Sequence, residues 1–231
     1  MNRILRIHGS IIAASLLGMA QAVAQSLVFS SGLPSGGAVP DGNLAGWADS
    51  RAVSGVPFSS IATVKVSLQI TGGFTGDLYA FLSNGTGMSV LLNRPGVTAS
   101  DSFGYADGGL SVVFADGAAQ GDIHQYQAVV SYASLIASGA EFEPDGRAAS
   151  PLAVTDASPR GAGLGAAFAG SNPNATWTLF IADTVTGGGQ ATVAQWGLEF
   201  TPAPVPEAPA TCLSAALALG AFAAVRRRWK T

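Results

Sequence analysis

The chain has 231 residues, of which 48% are hydrophobic and 11% are charged, and its formal net charge is −3. Most of the basic residues lie in the two termini, whereas 13 of the 14 acidic residues lie within residues 25–204, so this segment carries a net charge near −8. A phosphate backbone needs a basic binding surface, and we therefore expect no nucleic-acid partner.

Residues 1–24 have the pattern of a secretory signal peptide. Two arginines precede an apolar segment at residues 11–20, and Ala22-Val23-Ala24 supplies the small residues of a cleavage site. We predict that signal peptidase removes this segment, that the mature chain begins at Gln25, and that it is exported across the inner membrane. The only cysteine, Cys212, lies near the C-terminus, so the exported segment has no disulfide.

Residues 25–202 are predicted to form an all-β domain, a β-sandwich. Two patterns predict strands: an alternation of apolar and polar residues, and a short apolar run that lies between two turn sequences. Together they predict seven strands, at residues 27–29, 64–70, 77–82, 88–92, 110–114, 176–182 and 193–201. Asn84-Gly85 predicts a hairpin turn between two of them. Two segments give weaker signals: 26–57 has few, and 123–140 fits a helix or a strand equally well.

The stretch from about Ile61 to Phe200 resembles the P domain (Homo B domain) found beside subtilisin-like proprotein convertases. The resemblance is carried by these residues, in order: Gly76-Asp77-Leu78, Leu82-Ser83-Asn84-Gly85-Thr86, Phe114-Ala115-Asp116-Gly117-Ala118, Leu164, Phe168, Gly170, Asn174-Ala175-Thr176-Trp177-Thr178-Leu179, Asp183 and Trp196-x-Leu198-x-Phe200. The chain departs from the family at Ser83-Asn84, where Ser-Pro is usual, and at Ala175, where Gly is usual. The resemblance implies a jelly-roll sandwich of the galactose-binding-like type, a protease-accessory module without catalytic residues of its own.

Two groups of residues are weighed as catalytic, and neither is favoured. His124 is the only histidine after the signal peptide and no Gly-x-Ser-x-Gly motif occurs, so we expect a surface histidine. Glu141 and Glu143 are two residues apart, so on an extended segment both side chains would point the same way, as the two carboxyls of a glycosidase could. They are followed by Pro144-Asp145-Gly146, however, which indicates a solvated loop. Gly161-Ala162-Gly163-Leu164-Gly165 is interpreted as a flexible loop rather than a nucleotide site. We therefore predict that the protein is not an enzyme.

Aspartates at predicted strand ends could bind calcium. The five are Asp77, Asp101, Asp107, Asp116 and Asp183, and for each of them a hydrogen bond within a turn is the favoured interpretation. Calcium takes six to eight oxygen ligands in loops of this kind. By resemblance, the candidate calcium ligands are Asp77, Asp116 and Asp183. No other cofactor is predicted.

Four aromatic residues are not fully assigned to the predicted core: Trp47, Tyr79, Tyr105 and Tyr126. Aromatic rings stack on sugar rings, so a carbohydrate-binding module is the second functional hypothesis, with an exopolysaccharide as the partner. Buried rings would remove it.

Residues 203–231 form a linker followed by a sorting or anchor segment. Pro206-Glu207-Ala208-Pro209 leads into an apolar run that ends at Arg226-Arg227-Arg228. As a helix, this run of about 18 residues reaches roughly 27 Å, which just spans a bilayer core, and the arginines stay on the cytoplasmic side.

The order of these features resembles the PEP-CTERM sorting signal of Gram-negative bacteria. The chain departs from that signal where Ala208 follows Pro206-Glu207 and the second proline comes at Pro209. The resemblance implies transient membrane association, removal of the tail by an exosortase-type enzyme, and delivery to the cell surface or extracellular matrix. A plain C-terminal membrane anchor is the alternative. We expect a non-catalytic, exported β-sandwich protein.

Overall fold

The computed structural model describes residues 23–137 and 139–204, and over these residues nine strands form two sheets. The sorting motif and nearly all of the predicted signal peptide lie outside the described residues. Within them, no helix combines the length and apolarity that crossing a bilayer requires.

The first sheet has five strands. In spatial order they are β1 (Gln25–Phe29), β9 (Thr192–Pro202), β3 (Ile61–Phe74), β6 (Gly108–Phe114) and β7 (Ala140–Phe142). All neighbours are antiparallel except β6 and β7, which run parallel. The long strand β3 pairs with β9 and β6, and as the third of five strands it lies at the centre of this sheet.

The second sheet has four antiparallel strands. In spatial order they are β2 (Asn43–Ala52), β8 (Thr176–Asp183), β4 (Leu78–Ser83) and β5 (Met88–Asn93). Consecutive strands β8 and β9 belong to different sheets, so the glycine-rich connection between them crosses from one layer to the other.

The core fills the space between the two sheets. The ring of Trp177 on β8 lies 5.1 Å from that of Phe200 on β9, measured between centroids, and 5.0 Å from that of Phe168. Trp196 on β9 donates from its indole nitrogen to Asp49 on β2 at 2.8 Å. The predicted shared faces of β8 (Trp177, Leu179, Ile181) and β9 (Trp196, Leu198, Phe200) are buried, which confirms them. Burying a large apolar side chain contributes on the order of 2–3 kcal/mol.

The all-β prediction is confirmed, since the described helices are short, but two local interpretations change. The undecided segment after residue 122 forms a 3-10 helix at Ile123–Ala128 and then α1 (Tyr132–Ala137). The predicted flexible loop at 161–165 leads instead into the five-residue helix α2 (Leu164–Phe168).

Candidate functional site

A cavity of about 290 Å³ opens at one end of the sandwich. Its walls come from three places: the end of β3 with the turn that follows, the loop before β6, and the connection between β8 and β9. The lining residues are Phe74, Asp77, Phe103, Gly104, Tyr105, Ala106 and Val185-Thr186-Gly187-Gly188. The cavity therefore combines aromatic walls with a carboxylate.

A tight turn places Asp77 in this cavity. The 3-10 turn Thr75–Asp77 joins β3 to β4, and the backbone N–H of Gly76 donates to the carbonyl of Tyr105 at 2.8 Å. A β-carbon on Gly76 would lie 2.4 Å from the carbonyl oxygen of Phe103, so only glycine permits this approach. Asp77 is 5% exposed as a result.

No described residue donates a hydrogen bond to the carboxylate of Asp77. Among the described residues, Arg94 is the cation that pairs with it, and its Nη2 lies 3.9 Å from Oδ1, beyond hydrogen-bond distance. Arg94 instead donates to the carbonyls of Gly76 (3.0 Å) and Ser102 (2.8 Å). Burial raises the pKa of Asp77, Arg94 opposes this, and the charge of Asp41 adds to it. The net result is a raised pKa.

Asp183 lies beside Asp77, because its backbone pairs with Leu78. It is fully buried; Oδ1 accepts from the backbone N–H of Val185 at 3.3 Å, whereas Oδ2 has no partner in the described part of the chain. The pKa of Asp183 is raised to about 6. Burial is the largest cause, and the negative charges of Asp77 and Asp41 add to it. Hydrogen bonds from backbone N–H groups act in the opposite direction and lower the pKa. Three carboxylates therefore act on one another at this end of the sandwich.

Asp116, the remaining residue of the calcium prediction, is engaged elsewhere. Its two oxygens accept from the backbone N–H groups of Leu164 (2.9 Å) and Gly165 (2.5 Å), so it caps the start of α2. Over residues 23–137 and 139–204, no three His, Cys, Asp or Glu side chains are arranged to hold a metal. Calcium binding stays a prediction, and the geometry brings only Asp77 and Asp183 together.

The other two aspartates hold loops near the cavity. Asp101 accepts from the backbone N–H groups of Phe103 (3.0 Å) and Gly104 (3.2 Å), which is the predicted side-chain turn. Asp107 accepts from the hydroxyl of Tyr126 at 2.8 Å. Together they fix the loop that carries Phe103.

The four aromatics separate into two groups. Trp47 and Tyr126 are buried, at 4% and 0% exposure, and belong to the core, which removes them as sugar-stacking candidates. Tyr79 and Tyr105 are half-buried, and only Tyr105 lines the cavity.

The prediction that His124 is a surface residue is wrong. The side chain is fully buried; its Nδ1 lies 2.8 Å from Oδ2 of Asp145, and its Nε2 lies 2.9 Å from the carbonyl oxygen of Val97. A carbonyl oxygen and an ionised carboxylate both only accept, so the ring donates to the two of them at once only in its protonated form. Burial and the charge of Arg147 lower the pKa of His124, but the two hydrogen bonds and the charge of Asp145 outweigh them and raise it.

The glutamates are partnered, and the turn after them is not solvated. Glu141 pairs with Lys65 at 2.6 Å and Glu143 pairs with Arg160 at 2.9 Å. The following residues Pro144-Asp145-Gly146 are buried, which corrects the predicted solvated loop. The turn is buried because Asp145 pairs with the buried His124 in the interior of the domain.

Comparisons with known proteins leave the family open. No family model and no curated protein matches the chain. It is similar to a chain in the complex of the Aeromonas sobria serine protease (ASP) with its chaperone (ORF2), at 12% identity and a TM-score of 0.43, over 80% of this chain and 27% of that one. It is also similar to the serine protease of Aeromonas sobria, at 13% identity and a TM-score of 0.40, over 78% and 26%. The chain thus spans about a quarter of these solved chains, and similarity at this level assigns neither family nor activity.

Proposed function

We propose that this protein is a non-catalytic β-sandwich that is exported and delivered to the cell surface or extracellular matrix. The support is the combination of a disulfide-free, acidic sandwich with two apolar termini, each flanked by arginines on the side away from the sandwich. Because basic flanks stay in the cytoplasm, this arrangement favours transfer of the segment between them across the membrane.

The observation that best supports a non-catalytic role is the environment of His124. Both of its ring nitrogens are engaged and none of the side chain is exposed, so a substrate cannot reach it. Glu141 and Glu143 each carry a basic partner of their own. The groups that were weighed as catalytic therefore have structural roles.

We further propose that the sandwich is a jelly roll of the galactose-binding-like type, as the resemblance to P domains implies. The support is its division into a five-stranded and a four-stranded sheet with connections that cross between layers. A protease-accessory role follows from the same resemblance. A calcium ion at Asp77 and Asp183 belongs to this proposal, supported by the unpartnered Oδ2 of Asp183.

Replacement of the sorting motif tests the export proposal. Changing Pro206 and Glu207 to alanine in the native host should leave the protein in the inner-membrane fraction, because the exosortase-type enzyme then lacks its recognition residues. Ala203→Ser together with Pro204→Ala, in the linker that precedes the motif, is the control and should leave export intact. Equal distribution of all three proteins between fractions would contradict sorting through this motif.

Carbohydrate binding is the second candidate function, and an exopolysaccharide is the partner it implies. The observation that favours it is the cavity next to Asp77, where Phe74, Phe103 and Tyr105 are rings of the kind that stack on sugars. The test is an isothermal titration with chitotriose and its N-acetylated counterpart, and binding of neither would contradict this function.

A further inference from the structure

We propose that the cavity beside Asp77 binds an amino sugar whose nitrogen carries a free ammonium group. This inference rests on the carbohydrate-binding function proposed above and narrows it to one chemical class. Two independent properties of the cavity point to this ligand: exposed aromatic rings, and a buried carboxylate that accepts no hydrogen bond from the described residues.

The aromatic walls fit the face of a sugar ring. Phe103 is 73% exposed and Phe74 is 38% exposed, although each is large and apolar. The Phe74 ring is held in position, since a β-carbon on Gly188 would lie 2.6 Å from it, and Tyr105 packs edge-on against Tyr126 with centroids 4.7 Å apart. A pyranose ring between such walls covers exposed apolar surface and is held on its C–H face.

The electrostatics favour a cation in the same place. Asp77, Asp41 and Asp183 act on one another, and Arg94 is the cation that opposes them. Arg94 is committed to backbone carbonyls and stops 3.9 Å short of Asp77. Beside a neutral sugar the buried carboxylate would keep only the Arg94 cation, 3.9 Å away, whereas an ammonium group would donate a charge-assisted hydrogen bond to it.

The aromatic walls alone would favour an uncharged sugar, and the carboxylates alone would favour a metal ion. An amino sugar interacts with both. A metal ion would use the carboxylates but not Phe74 and Phe103. An uncharged sugar would use the rings but would not balance the charge of Asp77. A hexosamine presents an apolar ring face and an ammonium group on one ring, and a cavity of about 290 Å³ accommodates a single sugar residue.

Isothermal titration of the full-length protein in detergent tests the proposal. The probes are fully de-N-acetylated chitotriose and its N-acetylated counterpart, at pH 6.5, where a substantial fraction of the chitotriose amino groups is protonated, and with a calcium chelator present. We expect the de-N-acetylated probe to bind at least tenfold more tightly. Asp77→Asn should weaken that binding at least tenfold, with Asp156→Asn as the matched control. Phe103→Ala should weaken it severalfold, with the exposed Leu152→Ala as control.

Three results would overturn the proposal. One is equal affinity for the two probes, or no binding of either. Another is an Asp77→Asn variant that keeps the wild-type melting temperature and binds the de-N-acetylated probe as tightly as wild type. If Asp77→Asn does not fold, Phe103→Ala still tests the cavity, because Phe103 is exposed and its replacement should not unfold the protein. The third is a loss of affinity in Asp156→Asn equal to that in Asp77→Asn, because the effect would then not come from the cavity. Equal affinity for the two probes would refute this inference and leave carbohydrate binding standing, whereas binding of neither probe would refute both; neither outcome bears on the export proposal.

Discussion

His124 and Asp145 form an ion pair in the interior of the domain: Nδ1 of the imidazole lies 2.8 Å from Oδ2 of the carboxylate, and neither side chain is exposed. The opposite ring nitrogen lies 2.9 Å from the carbonyl oxygen of Val97. The pair therefore ties together the loop after β5, the 3-10 helix Ile123–Ala128 and the turn after β7. Arg147 continues the network from Asp145 to Asp122, at 3.1 and 2.7 Å.

Removing the charge of Asp145 should destabilise the domain strongly. Asp145→Asn leaves the buried His124 without its carboxylate and leaves Arg147 with Asp122 alone, and breaking a buried pair in this way costs about 3–5 kcal/mol. The measurement is the free energy of unfolding by urea at pH 6. Glu141→Gln is the matched control, because its pair with Lys65 is half-exposed on both sides and should contribute at most about 1 kcal/mol. Equal losses in the two variants would contradict the buried ion pair.

The contribution of His124 to stability should depend on pH in a defined direction. The folded-state pKa of His124 is raised above 6.5, so the stabilisation is complete below pH 6.5 and is lost as pH rises through the higher folded-state value. The charged groups that act on the ring are Asp145 and Arg147, with Asp122 behind Arg147. The difference in unfolding free energy between wild type and His124→Gln should therefore shrink from pH 6 to pH 9. A difference that grows over this interval would contradict the assignment.

Asp183→Asn should stabilise the protein at neutral pH. Burial raises the folded-state pKa of Asp183 from 3.8 to about 6, so ionisation opposes folding fully above pH 6 and not at all below 3.8. The variant should match wild type near pH 4 and gain about 2–3 kcal/mol at pH 8 in chelator. The measurement is urea unfolding at both pH values. A loss of stability at pH 8 that appears only with calcium would show instead that Asp183 ligates the ion.

Asp116 should contribute to stability as a helix cap. Asp116→Ala leaves the backbone N–H groups of Leu164 and Gly165 without an acceptor, and loss of a cap costs about 1 kcal/mol. Thermal unfolding should show a lower melting temperature than for Asp156→Ala, whose carboxylate accepts no hydrogen bond in residues 23–137 or 139–204. A melting temperature equal to that of the control would refute this role, and calcium-dependent stability at Asp116 would support the original metal prediction.

Much of the sheet structure could be predicted from the sequence because central strands bury one face completely. Strand β3 alternates through Val64, Val66, Leu68 and Ile70, and all four are buried. The strand β2 gave no such signal. It pairs only with β8 at the edge of its sheet and buries just Trp47 and Asp49, so its residues do not alternate in hydrophobicity.

The site was harder to predict because its parts come from distant segments. The burial of His124 depends on Asp145, which lies 21 residues further along and outside any periodic pattern. Phe74 and Phe103 were not predicted to line a cavity, because they lie on segments that are distant in sequence. For Phe103 a signal did exist, since it is a large apolar residue within a predicted loop. Strand-end position applied to five aspartates alike, and only the resemblance to P domains singled out Asp77, Asp116 and Asp183. The capping role of Asp116 depends on α2, which the sequence did not predict.

The most direct test of the export proposal is the intact mass of the protein recovered from outside the cells of its native host. We predict a chain that begins at Gln25 and ends near Pro206, because signal peptidase and an exosortase-type enzyme remove the two apolar termini. Full-length protein retained in the inner membrane or the cytosol, with none outside the cells, would contradict the account.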